Sequence, residues 1–178
     1  MIRKATREDL PAIVDIYNEI HDREAAGEVT TGWLRGIYPV SETAEDSIER
    51  GDMFVLVEEE DNVIGTGIIN QIQVDVYAKG SWTHPAKDDE VMVLHTLIIS
   101  KERVKHRDRG GHGTEFLQFY EDYAKAHGCS SLRLDTNARN KAARAFYKRN
   151  GYQEIGIVPT TFNGIPGVDL VLLEKCIR

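Results

Sequence analysis

The stretch Glu90 to Ser100, EVMVLHTLIIS, constrains the fold most strongly. It is almost continuously apolar and rich in β-branched residues, the pattern of a strand buried on both faces in the middle of a sheet. A basic, glycine-containing loop follows, then a helix over about Gly113 to His127. Phe116, Phe119, Tyr120 and Tyr123 give that helix an apolar face, and Gly128 stops it. Ser131 to Asp135 reads as a short strand, and a second helix runs from Asn140 to Asn150 with Gly151 as its stop. A strand–helix–strand–helix order of this kind implies one parallel strand pair at the heart of the sheet.

The flanking segments predict antiparallel additions. Met1 to Thr6 reads as a strand, and Thr6 with Asp9 forms a capping-box pattern before a helix. That helix is carried by Leu10, Ile13, Ile16, Tyr17 and Ile20 at helical spacing. Ser41 is the expected cap of a second short helix ending near Gly51. Residues 53–58 and 63–72 read as a hairpin, residues 74–89 as a polar connection, and residues 152–158 and 168–174 as the last two strands. No repeat or linker interrupts the chain, so residues 1–178 are read as one α+β domain with a mixed sheet.

Charge and composition exclude several classes. A net charge of −7 argues against a nucleic-acid partner. No apolar run suits a membrane span, and Met1 to Thr6 leads straight into a charged segment rather than a secretory leader, so a cytoplasmic location is expected. Cys129 and Cys176 are too few for a disulfide framework. His84, His106 and His112 lack ligand spacing, so no metal is expected.

The loop Lys101 to Thr114 carries the first chemical signal. Residues 101–109 hold five Lys or Arg against two acids, in an otherwise acidic chain. The loop ends at a helix N-terminus, where free N–H groups and the helix dipole favour an anion such as phosphate. Arg107, Arg109, Gly110, Gly111, His112, Gly113 and Thr114 are the candidate phosphate-binding residues. A P-loop would need Gly-Lys-Ser/Thr after the turn, and a dinucleotide fingerprint would need a third glycine where Phe116 stands.

The second signal is Asn140-Lys-Ala-Ala143-Arg-Ala-Phe146-Tyr147-Lys-Arg-Asn-Gly151-Tyr152. Asn140, Ala143 and Tyr147 fall on one helix face, with a small residue between two polar ones. Together with Leu94-His95-Thr96-Leu97-Ile98-Ile99 and Gly111-His112-Gly113, this series resembles the GCN5-related N-acetyltransferase superfamily over about residues 90–157. Two departures stand out. Asp108 occupies a loop position where the family usually has Arg or Gln, and Val93 occupies a strand position where many members have a Glu base.

The resemblance implies a mostly antiparallel sheet of about seven strands, flanked by four helices, with a parallel pair that opens into a V-shaped cleft. It implies acetyl-CoA as co-substrate, its pantetheine arm lying along Leu97, Ile98 and Ile99 and touching Asn140, Ala143 and Phe146. It also implies that Tyr147 protonates the leaving thiolate, with acetyl transfer to an amine on a small molecule or a peptide. His95 is the first candidate base, since its ordinary pKa suits the task, and Glu90 the second. Trp33, Tyr38, Asn70, Trp82 and Phe162 are the candidate acceptor-binding residues. A homodimer is left open. The alternative reading is a catalytically inactive acyl-CoA sensor with the same fold.

Overall fold

The computed structural model describes residues 1–105 and 111–177. Its elements are β1 (Ile2–Lys4), α1 (Leu10–Ala25), α2 (Ser41–Arg50), β2 (Met53–Val57), β3 (Val63–Asn70), β4 (Val91–Ile99), α3 (His112–Ala126), β5 (Ser131–Asn137), α4 (Lys141–Arg149), β6 (Gln153–Phe162) and β7 (Ile165–Cys176). The seven strands form one sheet in the order β1-β2-β3-β4-β5-β7-β6. Every pairing is antiparallel except β4 with β5. The expected mixed sheet, parallel pair and four helices are therefore present.

Side-chain alternation assigns the helices to faces. In β2, Phe54 and Leu56 pack with Phe116, Leu117 and Tyr120 of α3 and Tyr147 of α4. Met53, Val55 and Val57 point the other way, against Ile13, Ile16, Tyr17 and Ile20 of α1 and Ala44 of α2. The rest of that second face, over β4, β5 and β7, is covered by Val76 and Tyr77 of the connection between β3 and β4. That connection, read as polar, thus contributes two buried side chains. None of the helices among the described residues is long and apolar enough to cross a membrane.

Three details differ from the sequence reading. Ser41 is the first helical residue of α2 rather than its cap; the cap is Val40, whose N–H donates to Thr43 Oγ1 at 3.1 Å. The last hairpin is longer than expected, pairing through Phe162 and Ile165. Its turn is Asn163-Gly164, both at positive φ, which continues the twist of the flanking strands. The third concerns Thr6 and Asp9: the capping box forms, but it opens a short 3-10 turn before α1.

Asp9 also accepts a two-pronged contact from Arg3, at 2.8 and 2.9 Å, tying β1 to the start of α1. The Arg3 guanidinium, helped by the Thr6 N–H, holds its carboxyl below the usual range. A lowered carboxyl pKa adds stability above the unfolded value, and that stability is lost as pH falls through the folded value. Asp9→Asn is therefore expected to cost about 1–3 kcal/mol at pH 7. The deficit should shrink in acid, as thermal melts at neutral and low pH would show.

Candidate active site

The cleft begins where the parallel pair stops pairing. β4 and β5 are in register at Val91 with Ser131, Met92 with Leu132 and Val93 with Arg133, and no further. The buried Tyr120 hydroxyl sits at this fork, reaching Met92 O at 2.6 Å and Arg133 O at 3.2 Å. One phenol on α3 thus bridges a carbonyl of each strand close to where the two part. Beyond it lies a cleft of about 510 Å³.

On the β4 wall, Leu97, Ile98 and Ile99 line the cleft. The strand carries a bulge there: Ile68 pairs with His95 and Thr66 with Ile98, so β4 has one residue more than β3. Thr96 absorbs it at a φ of +53°, and its hydroxyl is bonded to that of Tyr38. A bulge leaves backbone groups outside the ladder and turns them aside.

On the opposite wall, Asn140 caps α4, its Oδ1 accepting from Ala143 N at 3.1 Å. Its amide NH₂ is not consumed by that bond and stays available to a ligand. Asn140, Ala143 and Tyr147 all line the cleft. Phe146 does not; it packs beneath Gly113, where a Cβ would come within 2.9 Å of its ring. Gly113 therefore also serves close contact between α3 and α4.

The phosphate-loop candidates divide. Arg107, Arg109 and Gly110 lie outside the described residues. Gly111 caps α3 at a φ of +77°, and Gly113 and Thr114 fall in the first turn of that helix. The His112 ring instead lies 3.7 Å from Glu58 and from Glu115. Part of the loop's positive charge is committed elsewhere: Arg103 pairs with Asp15 at 3.3 Å and Lys105 with Glu60 at 2.9 Å. Buried Glu19 anchors the start of the loop, accepting from Ser100 Oγ and from the Lys101 N–H.

Tyr147 is buried at the cleft, and loss of water around its phenol, with the Asp135 carboxylate beside it, raises its pKa. It is therefore neutral at pH 7. The two candidate bases fare differently. His95 donates from Nε2 to Asn70 Oδ1 at 2.9 Å, and Asn70 Nδ2 in turn donates to Asp52 at 2.9 Å. Burial pushes the imidazole down to about 4, so it is neutral and aimed towards β3. Glu90 accepts the Lys87 N–H at 2.9 Å ahead of β4, and is not among the residues lining the cleft.

Of the acceptor candidates, Trp33, Tyr38 and Phe162 line the cleft. Asn70 does not, being held between His95 and Asp52. Trp82 does not either: it donates to Tyr77 O at 2.8 Å and lies under the Arg133 guanidinium, 4.2 Å from its ring centre. Sequence reasoning passed over Asp135, which lines the cleft and accepts from Tyr77 Oη at 2.6 Å. Loss of water pushes its carboxyl up to about 6.

The comparisons with known proteins agree with this geometry. Residues 11–152 match the model of the acetyltransferase (GNAT) family, and the chain belongs to that family. It is 34% identical over 64 residues to YhfO of Bacillus subtilis strain 168, described as an uncharacterized N-acetyltransferase. That match covers 36% of this chain and 40% of the relative, and the match to YdhI of the same organism covers 44% of each protein. The chain thus spans about two fifths of the curated relatives it matches. Among solved structures, a putative acetyltransferase from Staphylococcus aureus Mu50 superposes with a TM-score of 0.72 at 25% identity, over 100% of this chain and 99% of that one. The yncA protein of Salmonella typhimurium, a putative acetyltransferase solved with its cofactor acetyl-CoA, shares the fold with a TM-score of 0.70 at 16% identity, over 100% and 94% of the two chains.

Proposed function

We propose that this chain acts as one acetyltransferase unit that moves an acetyl group from acetyl-CoA to an amine. The observation that carries this reading is the fork itself. β4 and β5 part after Val93 and Arg133, and Tyr147 lines the opening between them.

Several residues suit the thioester substrate. Past Val93, the backbone of β4 has no strand partner on its β5 side among the described residues, so an extended amide-bearing arm could add to that edge. The Asn140 amide faces the same cleft. A backbone N–H displaced by the bulge at Thr96 is suited to the developing oxyanion. Tyr147 keeps its proton at neutral pH and can deliver it to the thiolate as the carbon–sulfur bond breaks.

The test is CoA release from acetyl-CoA over a panel of amines, with acetylated product identified by mass. Release that depends on the amine and matches product formed is the expected result. Acetyl-CoA that is bound but never transferred to any amine would overturn the transferase reading.

A further inference from the structure

We propose that Asp135 is the base that takes the proton of the acceptor's ammonium, and that the acceptor is a monoamine with an apolar body and no carboxylate. This rests on the acetyl-transfer reading above.

The alternation of β5 puts Leu132 and Leu134 on the face covered by α3 and α4, and Asp135 on the opposite face with Tyr77. Asp135 is two residues beyond the last ladder pair, as His95 is on β4, so the two flank the fork. His95 also lines the cleft, with its Nε2 bonded to Asn70, so Asp135 is the carboxylate turned to the cleft at this level. Tyr77 is its one hydrogen-bond donor among the described residues.

The charged and titratable groups around it are Tyr77 from the turn 75–79, Tyr147 from α4 and Tyr38 from the α1–α2 connection. Burial raises the pKa of all three phenols, that of Tyr38 to about 12, so they are neutral at pH 7. Leu172 stands opposite on β7. Arg133, on the same face of β5, is turned to Gln73 at 2.7 Å and to Trp82. The carboxylate thus has no cation paired with it among the described residues, and an acceptor ammonium would supply one.

One wall of this end is apolar, made by Val74 from the connection and Phe162, Ile165, Val168 and Leu170 from the last hairpin, beside the polar Thr136, Asn137 and Asn163. Of the cations lining the cleft among the described residues, Arg23 pairs with Glu19 at 3.9 Å, and Lys101 lies past the end of β4, its backbone N–H donating to the same Glu19. From His95 to Lys101 the strand rise amounts to roughly 15–20 Å. An acceptor carboxylate beside Asp135 would therefore meet a like charge and an apolar wall.

The proton count closes. The ammonium gives one proton to Asp135, and the neutral nitrogen attacks the thioester carbonyl carbon. As the carbon–sulfur bond breaks, Tyr147 protonates the thiolate. The second proton of the new amide nitrogen restores Tyr147, and Asp135 releases its proton to solvent.

The test pairs phenethylamine with phenylalanine, which differ by one carboxylate, using the full chain and acetyl-CoA. The expected kcat/KM favours phenethylamine by about 10-fold or more. Asp135→Asn should lower the single-turnover rate by about 10²–10⁴-fold, remove the acidic limb near pH 6, and leave acetyl-CoA affinity unchanged. Because burial holds the folded carboxyl above its ordinary range, its ionisation opposes folding, so the same variant should melt higher at pH 7. Tyr77→Phe, which removes the bond that holds this pKa down, should move the acidic limb to higher pH. A preference for phenylalanine, or acetylation of neither amine by a protein that acetylates others, overturns the acceptor assignment. Wild-type turnover in Asp135→Asn, or an unmoved acidic limb in Tyr77→Phe, overturns the base. Failure of acetyl-CoA to bind at all overturns the transferase reading, and is recognised separately by calorimetry.

Discussion

Tyr147→Phe should slow a single turnover by about 10²–10⁴-fold while acetyl-CoA affinity stays close to that of the wild type. The ring packs in the core with Tyr152, 5.9 Å away, and with Phe146, 5.2 Å away, and Phe preserves both contacts. Only the hydroxyl is lost. Burial keeps that hydroxyl protonated, so at neutral pH it can donate and cannot act as a base. Without it, the departing thiolate must leave as an anion. Single-turnover measurement separates chemistry from product release. A wild-type rate would reduce Tyr147 to a packing residue.

Gly113→Val should have the second largest effect, on stability and cofactor affinity together. A Cβ at Gly113 would stand 2.9 and 3.2 Å from two atoms of the Phe146 ring. Phe146 precedes Tyr147 on α4, so moving the ring disturbs the wall that carries Tyr147. The first turn of α3, where N–H groups would meet phosphate, shifts at the same time. Overpacking of this kind costs about 1–3 kcal/mol. We expect a lower melting temperature and acetyl-CoA affinity reduced by more than ~10-fold, the equivalent of about 1.4 kcal/mol. Adding Phe146→Ala should recover part of the melting temperature, a coupling that a double-mutant cycle measures. Additive effects would mean the two residues do not meet.

The parts of the site that follow from local pattern were legible in the sequence. Asn140, Ala143 and Tyr147 share a helix face by spacing alone, and Leu97 to Ile99 belong to a strand whose apolar run is unmistakable. Asp135 was not legible. In SLRLD it is one acid at the end of a short strand, and its chemistry comes from the place where β4 and β5 separate. Tyr77, which fixes it, lies in a connection whose polar composition hid two buried residues. His95 lies on β4, but its partner Asn70 lies on β3, and no spacing rule links the two. The long last hairpin did carry a signal in Asn163-Gly164, the dipeptide of a tight hairpin turn. Gly113 shows the converse case: its place in the loop pattern was plain, while its contact with Phe146 depends on how α3 and α4 pack.

On the proposed reading, the fork between β4 and β5 receives acetyl-CoA. Calorimetric titration of the full chain with acetyl-CoA tests it most directly. The account predicts saturable binding of one acetyl-CoA per chain in the micromolar range, weakened when Gly113 is replaced by Val and retained when Tyr147 is replaced by Phe. Absence of binding by the folded wild-type protein, or binding that Gly113→Val leaves untouched, would contradict it.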